Sequence, residues 1–104
     1  MGTLTVGLSG TSDRLTAVVT GEIDQDNADV LRRRLSAALR AGTGRLVVDM
    51  TGVEFCDSRG LHTLVAVRHE ALAVGRTMTV VPSPIVRRLL EITDTLPLFQ
   101  AEGR

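Results

Sequence analysis

Residues 46–60, LVVDMTGVEFCDSRG, pass from a short apolar run through a polar knot into the start of a helix. Leu46, Val47 and Val48 form the uninterrupted apolar run of a strand buried on both faces, as in a parallel sheet. Beyond the knot the spacing turns helical: Leu61, Leu64 and Val65, then Ala71 and Leu72, line one stripe, with Leu61, Val65 and Leu72 predicted to face the sheet. Asp57 and Ser58 therefore fall where a helix begins. The first turn of a helix has N–H groups without intrahelical partners and the positive end of the dipole, a setting that favours an oxygen, a carboxylate or a phosphate. Ser58 is thus placed to carry a phosphate, although Asp57 and Ser58 also read as ordinary N-cap residues.

Upstream, Leu4, Val6 and Leu8 alternate with Thr3, Thr5 and Gly7 as in a half-buried strand, and residues 9–13 form a turn-rich break. A second strand over residues 15–20 pairs with it antiparallel, because the connection is short, and residues 21–24, GEID, end it. From 25 to 41, Ala28, Leu31, Leu35, Ala38 and Leu39 follow helical spacing while Arg32, Arg33, Arg34 and Arg40 decorate the other face. Gly42 and Gly44 stop this helix, and the buried strand spans residues 45–50.

Downstream, the second helix covers residues 58–74 and ends at Gly75; a strand follows at 77–81, then a helix from Pro84 to about residue 93 with Val86, Leu89 and Leu90 inward. Leu96, Leu98 and Phe99 dock a last turn or short strand, and residues 101–104 are expected to fray. This order argues for an α/β fold: a mixed sheet of four to five strands with an N-terminal antiparallel hairpin, later strands parallel through right-handed crossovers, and three to four helices. Three loops should meet on the rim at the strand carboxyl ends, at residues 22–27, 51–58 and 82–84.

A chain of 104 residues fits one domain, here 1–104 with its core at about 4–99. Twelve basic and twelve acidic residues give zero net charge, which removes the long-range attraction behind nonspecific binding to nucleic acid or an acidic membrane surface. Cys56 is the single cysteine, so no internal disulfide or cysteine-based metal site forms, and the chain suits a reducing cytoplasm. No apolar run approaches the length of a membrane span, and the N-terminus lacks the pattern of an export signal.

The residues GEID, then VVDMTGVEFCDSRGL at 47–61, then a glycine-terminated helix, a strand and SPIVRRLLEITD at 83–94, resemble a STAS domain of the bacterial anti-sigma factor antagonist type. The likeness runs from about residue 4 to 99 in the family's order and spacing. It implies a cytoplasmic switch protein, without a cofactor, that binds an anti-sigma factor serine kinase when unphosphorylated and so releases a sigma factor. Phosphorylation of the motif serine ends the binding. By position, Ser58 matches the phosphoserine, Asp57 the acidic residue before it, Gly60 the glycine of the early helix turn, and Asp24 an acidic residue near the phosphosite that supports phosphorylation or partner contact. Arg59 departs from the family's small residue there; it offers a guanidinium to a phosphate or an acidic kinase surface, or obstructs a standard partner. His62 and Thr63 also replace small or apolar residues.

The same residues admit other readings. Cys56 packs as a small apolar filler. Ser58 and His62, one helical turn apart, lack the G-x-S-x-G elbow of a hydrolase, and a base on the same helix meets the hydroxyl at a poor angle, so the chain is read as non-enzymatic. His62 and His69 have no third ligand for a metal. The arginines at 32–34 form a solvated face without the aromatics of a nucleic-acid platform. The competing function is a STAS module serving as a structural or ligand-sensing subunit of a stress-signalling or membrane-transport complex, without a phosphoswitch. The chain acts as a monomer, or as a weak homodimer through an apolar surface that includes Leu96, Leu98 and Phe99.

Overall fold

Eight elements follow one another in the computed structural model, which describes residues 3–100: β1 (Leu4–Thr11), β2 (Arg14–Ile23), α1 (Ala28–Ala41), β3 (Arg45–Cys56), α2 (Ser58–Ala73), β4 (Met78–Pro82), α3 (Pro84–Ile92) and α4 (Leu96–Phe99). The strands form a four-stranded sheet in the order β1-β2-β3-β4, with β1 antiparallel to β2 and the other three parallel. Pairing in the hairpin continues to Thr11 and Arg14, so its turn is tighter than the break expected over residues 9–13. The Thr11 hydroxyl, which donates to the Asp13 carboxylate at 2.6 Å, braces it.

The sheet is covered on one face, not two. Each parallel step moves one strand further in the same direction, and right-handed crossovers then place α1 and α2 side by side on a single face. Leu15, Ala17, Val19, Leu46, Val48, Met50, Met78 and Val80 point into that core with Leu31, Leu35, Leu64, Val67, Val86, Leu90 and Phe99. On the opposite face Val18 and Val81 are 37% and 45% exposed and Val47 is half-buried, which corrects the expectation of a strand enclosed on both sides. Leu72 is likewise 51% exposed, at the edge of a cleft beside the start of β3 and β4 and not buried beneath the sheet. Phe99 is fully buried, so the apolar surface expected at 96–99 is spent within the fold, leaving Leu98 as its exposed member. The fraying expected for residues 101–104 concerns positions outside the described residues.

Two further strands run beyond their expected ends. β2 passes through Gly21 to Ile23, and β3 continues six residues beyond Met50 to Cys56. Gly21 makes this possible: its φ is +105° and a Cβ there would collide with the carbonyl oxygen of Thr3. Register shifts between Val18/Thr20 and Gly21/Glu22 put extra residues into β3, after which Glu22 pairs with Phe55 and Ile23 with Cys56. Such bulges bend a strand and re-aim the chain beyond it. Here they carry the start of α2 to the end of β2.

Candidate functional site

Asp57 comes directly after β3 in extended conformation and caps α2. Its Oδ1 accepts from the backbone N–H of Arg59 at 2.9 Å and of Gly60 at 3.3 Å, satisfying two of the first-turn donors. Its own N–H donates to the carbonyl of Ile23 at 3.2 Å, so the β2–α1 loop is tied to the start of α2. Ser58 is the first helical residue; it is exposed, and its hydroxyl makes no hydrogen bond among the described residues. Between Asp57 and Ser58, the cap is Asp57.

Asp24 lies one residue past the Ile23–Cys56 pair on β2, as Asp57 does on β3, so the two acidic residues occupy adjacent ends of paired strands. Asp24 belongs to a loop, not to α1, which begins at Ala28 instead of near residue 25. The Asp24 carboxylate accepts from the N–H of Asp26 at 2.9 Å, the Asp24 N–H donates to Asn27 Oδ1 at 3.0 Å, and Asn27 Nδ2 donates to the carbonyl of Glu22 at 2.8 Å. These local bonds compete with a helical turn and hold residues 24–27 in a compact loop. Asn27 and Thr63 are the positioning residues that sequence reasoning missed. The Thr63 hydroxyl, buried, donates to the carbonyl of Ala28 at 3.4 Å and joins α2 to the start of α1. An Asx-type residue directly before Ala28, the first of the apolar periodic positions, was the available signal for Asn27; Thr63 stood out only as a departure from the family's small or apolar residue, with nothing to give it this bond.

Gly60 is buried, and a Cβ added to it would collide with Cys56 Sγ and stand 3.0 Å from Ile23 Cγ2. Its place in the site is to let α2 approach the strand ends, and a partner would meet its neighbours. Cys56 is buried, and desolvation together with the charge of Asp57 pushes its thiol up to about 12, which suits a filler and not a nucleophile. Arg59, His62 and His69 are exposed. Arg32 meets Glu70 of α2 at 3.3 Å. No group of three metal-ligating side chains occurs among the described residues, and no helix in them is long and apolar enough to cross a membrane. The third rim segment holds Ser83, whose hydroxyl accepts from the N–H of Val86 and caps α3 behind Pro84. The structure therefore brings Asp24, Asp57, Ser58, Arg59 and Gly60 to one rim, with the acidic Glu22 and Asp26 beside them.

The fold has counterparts among known proteins. The family model described as "Mlab, STAS domain" matches residues 5–95. The anti-sigma F factor antagonist of Lysinibacillus sphaericus is 32% identical over 79 residues, covering 74% of this chain and 68% of its own. Among solved structures, an anti-sigma factor antagonist from Mycobacterium paratuberculosis is 30% identical, covers 96% of this chain and 88% of its own, and superposes with a TM-score of 0.79. The anti-sigma factor antagonist SpoIIAA in its unphosphorylated form is 24% identical over 95% of this chain and 90% of its own, with a TM-score of 0.74. The phosphorylated form of SpoIIAA from Bacillus is 23% identical over 95% and 93%, with a TM-score of 0.67. At that identity SpoIIAA shares the fold.

Proposed function

This chain belongs to the STAS domain family, in its anti-sigma factor antagonist branch, and from that membership we propose that it binds an anti-sigma factor serine kinase while Ser58 is unmodified, releasing a sigma factor. Phosphorylation of Ser58 then ends the binding. The observation that carries this reading is the division of labour at the start of α2, where Asp57 takes the cap and Ser58 keeps an exposed, unengaged hydroxyl. A phosphoryl group adds about −1.5 to −2 charge and three acceptor oxygens. It would arrive on a rim that already holds Glu22, Asp24, Asp26 and Asp57. A partner packed against a neutral hydroxyl then meets repulsion and the cost of desolvating a dianion, whereas the core is untouched because Ser58 contributes nothing to it. Asp24, on the neighbouring strand end, and Arg59, next to Ser58 in the chain, are the residues through which the partner is recognised, in the bacterial cytoplasm where sigma factors act.

The test is capture from native bacterial lysate with wild type, Ser58→Ala and Ser58→Asp as baits, each checked for its fold by circular dichroism, with bound proteins read by mass spectrometry. Wild type and Ser58→Ala are expected to retain a small ATP-binding kinase that Ser58→Asp loses. Equal retention by all three baits would leave Ser58 without a switching role and favour a structural or sensing module.

A further inference from the structure

A groove of about 430 Å3 opens between the first turns of α1 and α2, lined by Ala28, Asp29 and Arg32 on one side and by Arg59, His62 and Thr63 on the other. Arg32 is held by Glu70. Arg59 and His62 are exposed and have no ion-pair partner among the described residues. His62 stands one helical turn beyond Ser58 on the same side of α2, and helical side chains lean toward the N-terminus, which aims the imidazole toward the serine's end of the helix; Arg59 is the next residue in the chain, and its long side chain lines the groove. The amides that would ordinarily attract an anion at a helix start, those of Arg59 and Gly60, are already occupied by Asp57 Oδ1 at 2.9 and 3.3 Å. Beside the Ser58 amide itself, the side-chain donors on this part of α2 are therefore a guanidinium and an imidazole that line the groove.

We propose that the phosphate of Ser58 folds back into this groove and is held there by Arg59, with His62 as a second donor, so that phosphorylation closes the groove from within as well as adding charge to the rim. The inference rests on Ser58 as the phosphoacceptor. A guanidinium offers a phosphate two parallel charge-assisted bonds, and its charge favours the dianion over the monoanion. The carboxylates of the rim and groove, Glu22 at the end of β2, Asp24 and Asp26 on the β2–α1 loop, Asp57 at the cap of α2 and Asp29 on α1, act in the opposite sense, as Arg32 of α1 acts with Arg59. Removing Arg59 alone thus isolates its part.

The experiment is a 31P NMR pH titration of the full chain carrying phosphoserine encoded at position 58, in the wild-type background and with Arg59→Gln, His62→Gln or, as a control at the far end of β2, Arg14→Gln. Arg59, His62 and Arg14 are all exposed, and circular dichroism establishes that each variant is folded. The second ionisation of a phosphoserine lies near 6. Arg59→Gln is expected to raise it by about half a unit, roughly a threefold tighter hold on the proton, with a smaller rise in His62→Gln and none in Arg14→Gln. Identical titrations in Arg59→Gln and Arg14→Gln would overturn the clamp. Because the phosphoserine is encoded, that outcome is independent of any kinase, and a failed partner switch in the capture experiment would leave the titration standing.

Discussion

Gly60 and Cys56 meet at the closest approach between α2 and the strand ends, and both are decided by contact at atomic range. A methyl at position 60 has nowhere to go: it would collide with Cys56 Sγ and crowd Ile23 Cγ2 at 3.0 Å. Gly60→Ala should therefore cost about 1–3 kcal/mol, the usual range for overpacking a filled core. The same substitution in a Cys56→Ala background should cost less, because the sulfur that blocks it is gone. Urea denaturation of the four chains closes the cycle, and a coupling of at least about 0.5 kcal/mol is expected; strictly additive losses would mean that the contact does not hold the helix start. The thiol adds a pH dependence whose sign is fixed by its burial. Its folded value, about 12, lies above its ordinary 9.0, so the folded state binds the proton more tightly than the unfolded chain. That contribution is complete below pH 9 and is lost as pH rises toward 12. Wild type should lose stability between pH 8 and 10.5 more steeply than Cys56→Ala, and parallel slopes would show the thiol to be solvated.

The ends of α1 show what a periodic pattern conveys about an element and what it leaves out. Ala28, Leu31, Leu35, Ala38 and Leu39 are buried, so the inward face of the helix was legible from spacing alone. Its beginning was not, because Asp24, Asp26 and Asn27 satisfy one another locally and postpone the helix by three residues. β3 presents the same difficulty in a strand. Its apolar run stops at Val48 and the strand expected from it at Met50, yet the ladder continues to Cys56 across two irregularities, and an inserted residue destroys the alternation by which strands are recognised. The C-terminal end of α1 depends on Arg76, which no pattern singled out. Its guanidinium donates to the carbonyl of Leu39 in the last turn of α1 and, through Nε, to that of Gly44 at 2.8 Å, where the chain turns into β3. A cation at a helix C-terminus also meets the negative end of the dipole. Arg76→Ala leaves both carbonyls unmet and should destabilise the protein by about 2 kcal/mol. The check is a lower urea midpoint at unchanged slope; a loss below about 0.5 kcal/mol would mean that water replaces the guanidinium.

At the scale of the molecule, β3 separates the work of folding from the work of recognition. Its twelve residues rise about 3.3 Å each, on the order of 30 Å after bending, and carry the chain from Arg45 at one end of the sheet to Cys56 at the other. The Ser58 rim lies beyond Cys56. Toward the other end, α4 packs on β4, and Arg68 of α2 holds it by donating from Nε to the carbonyl of Leu98 at 3.1 Å. Leu98 and Gln100 share a cleft with Arg45, Thr77 and Met78, the residues at which β3 and β4 begin. Phe99, between them, is fully buried in the common core. The dimension of the sheet thus sets a condition on any mutation at the tail: it changes how much of the protein is folded without moving the atoms that a partner meets. Phe99→Ala should lower stability by about 3–5 kcal/mol, as large aromatic deletions from cores do. At a temperature where circular dichroism shows it folded, it should still retain the partner captured by wild type and still lose it on Ser58→Asp. If the folded Phe99→Ala protein loses that partner, the two ends are coupled through β3, and the rim is not the self-sufficient site that its own hydrogen bonds describe.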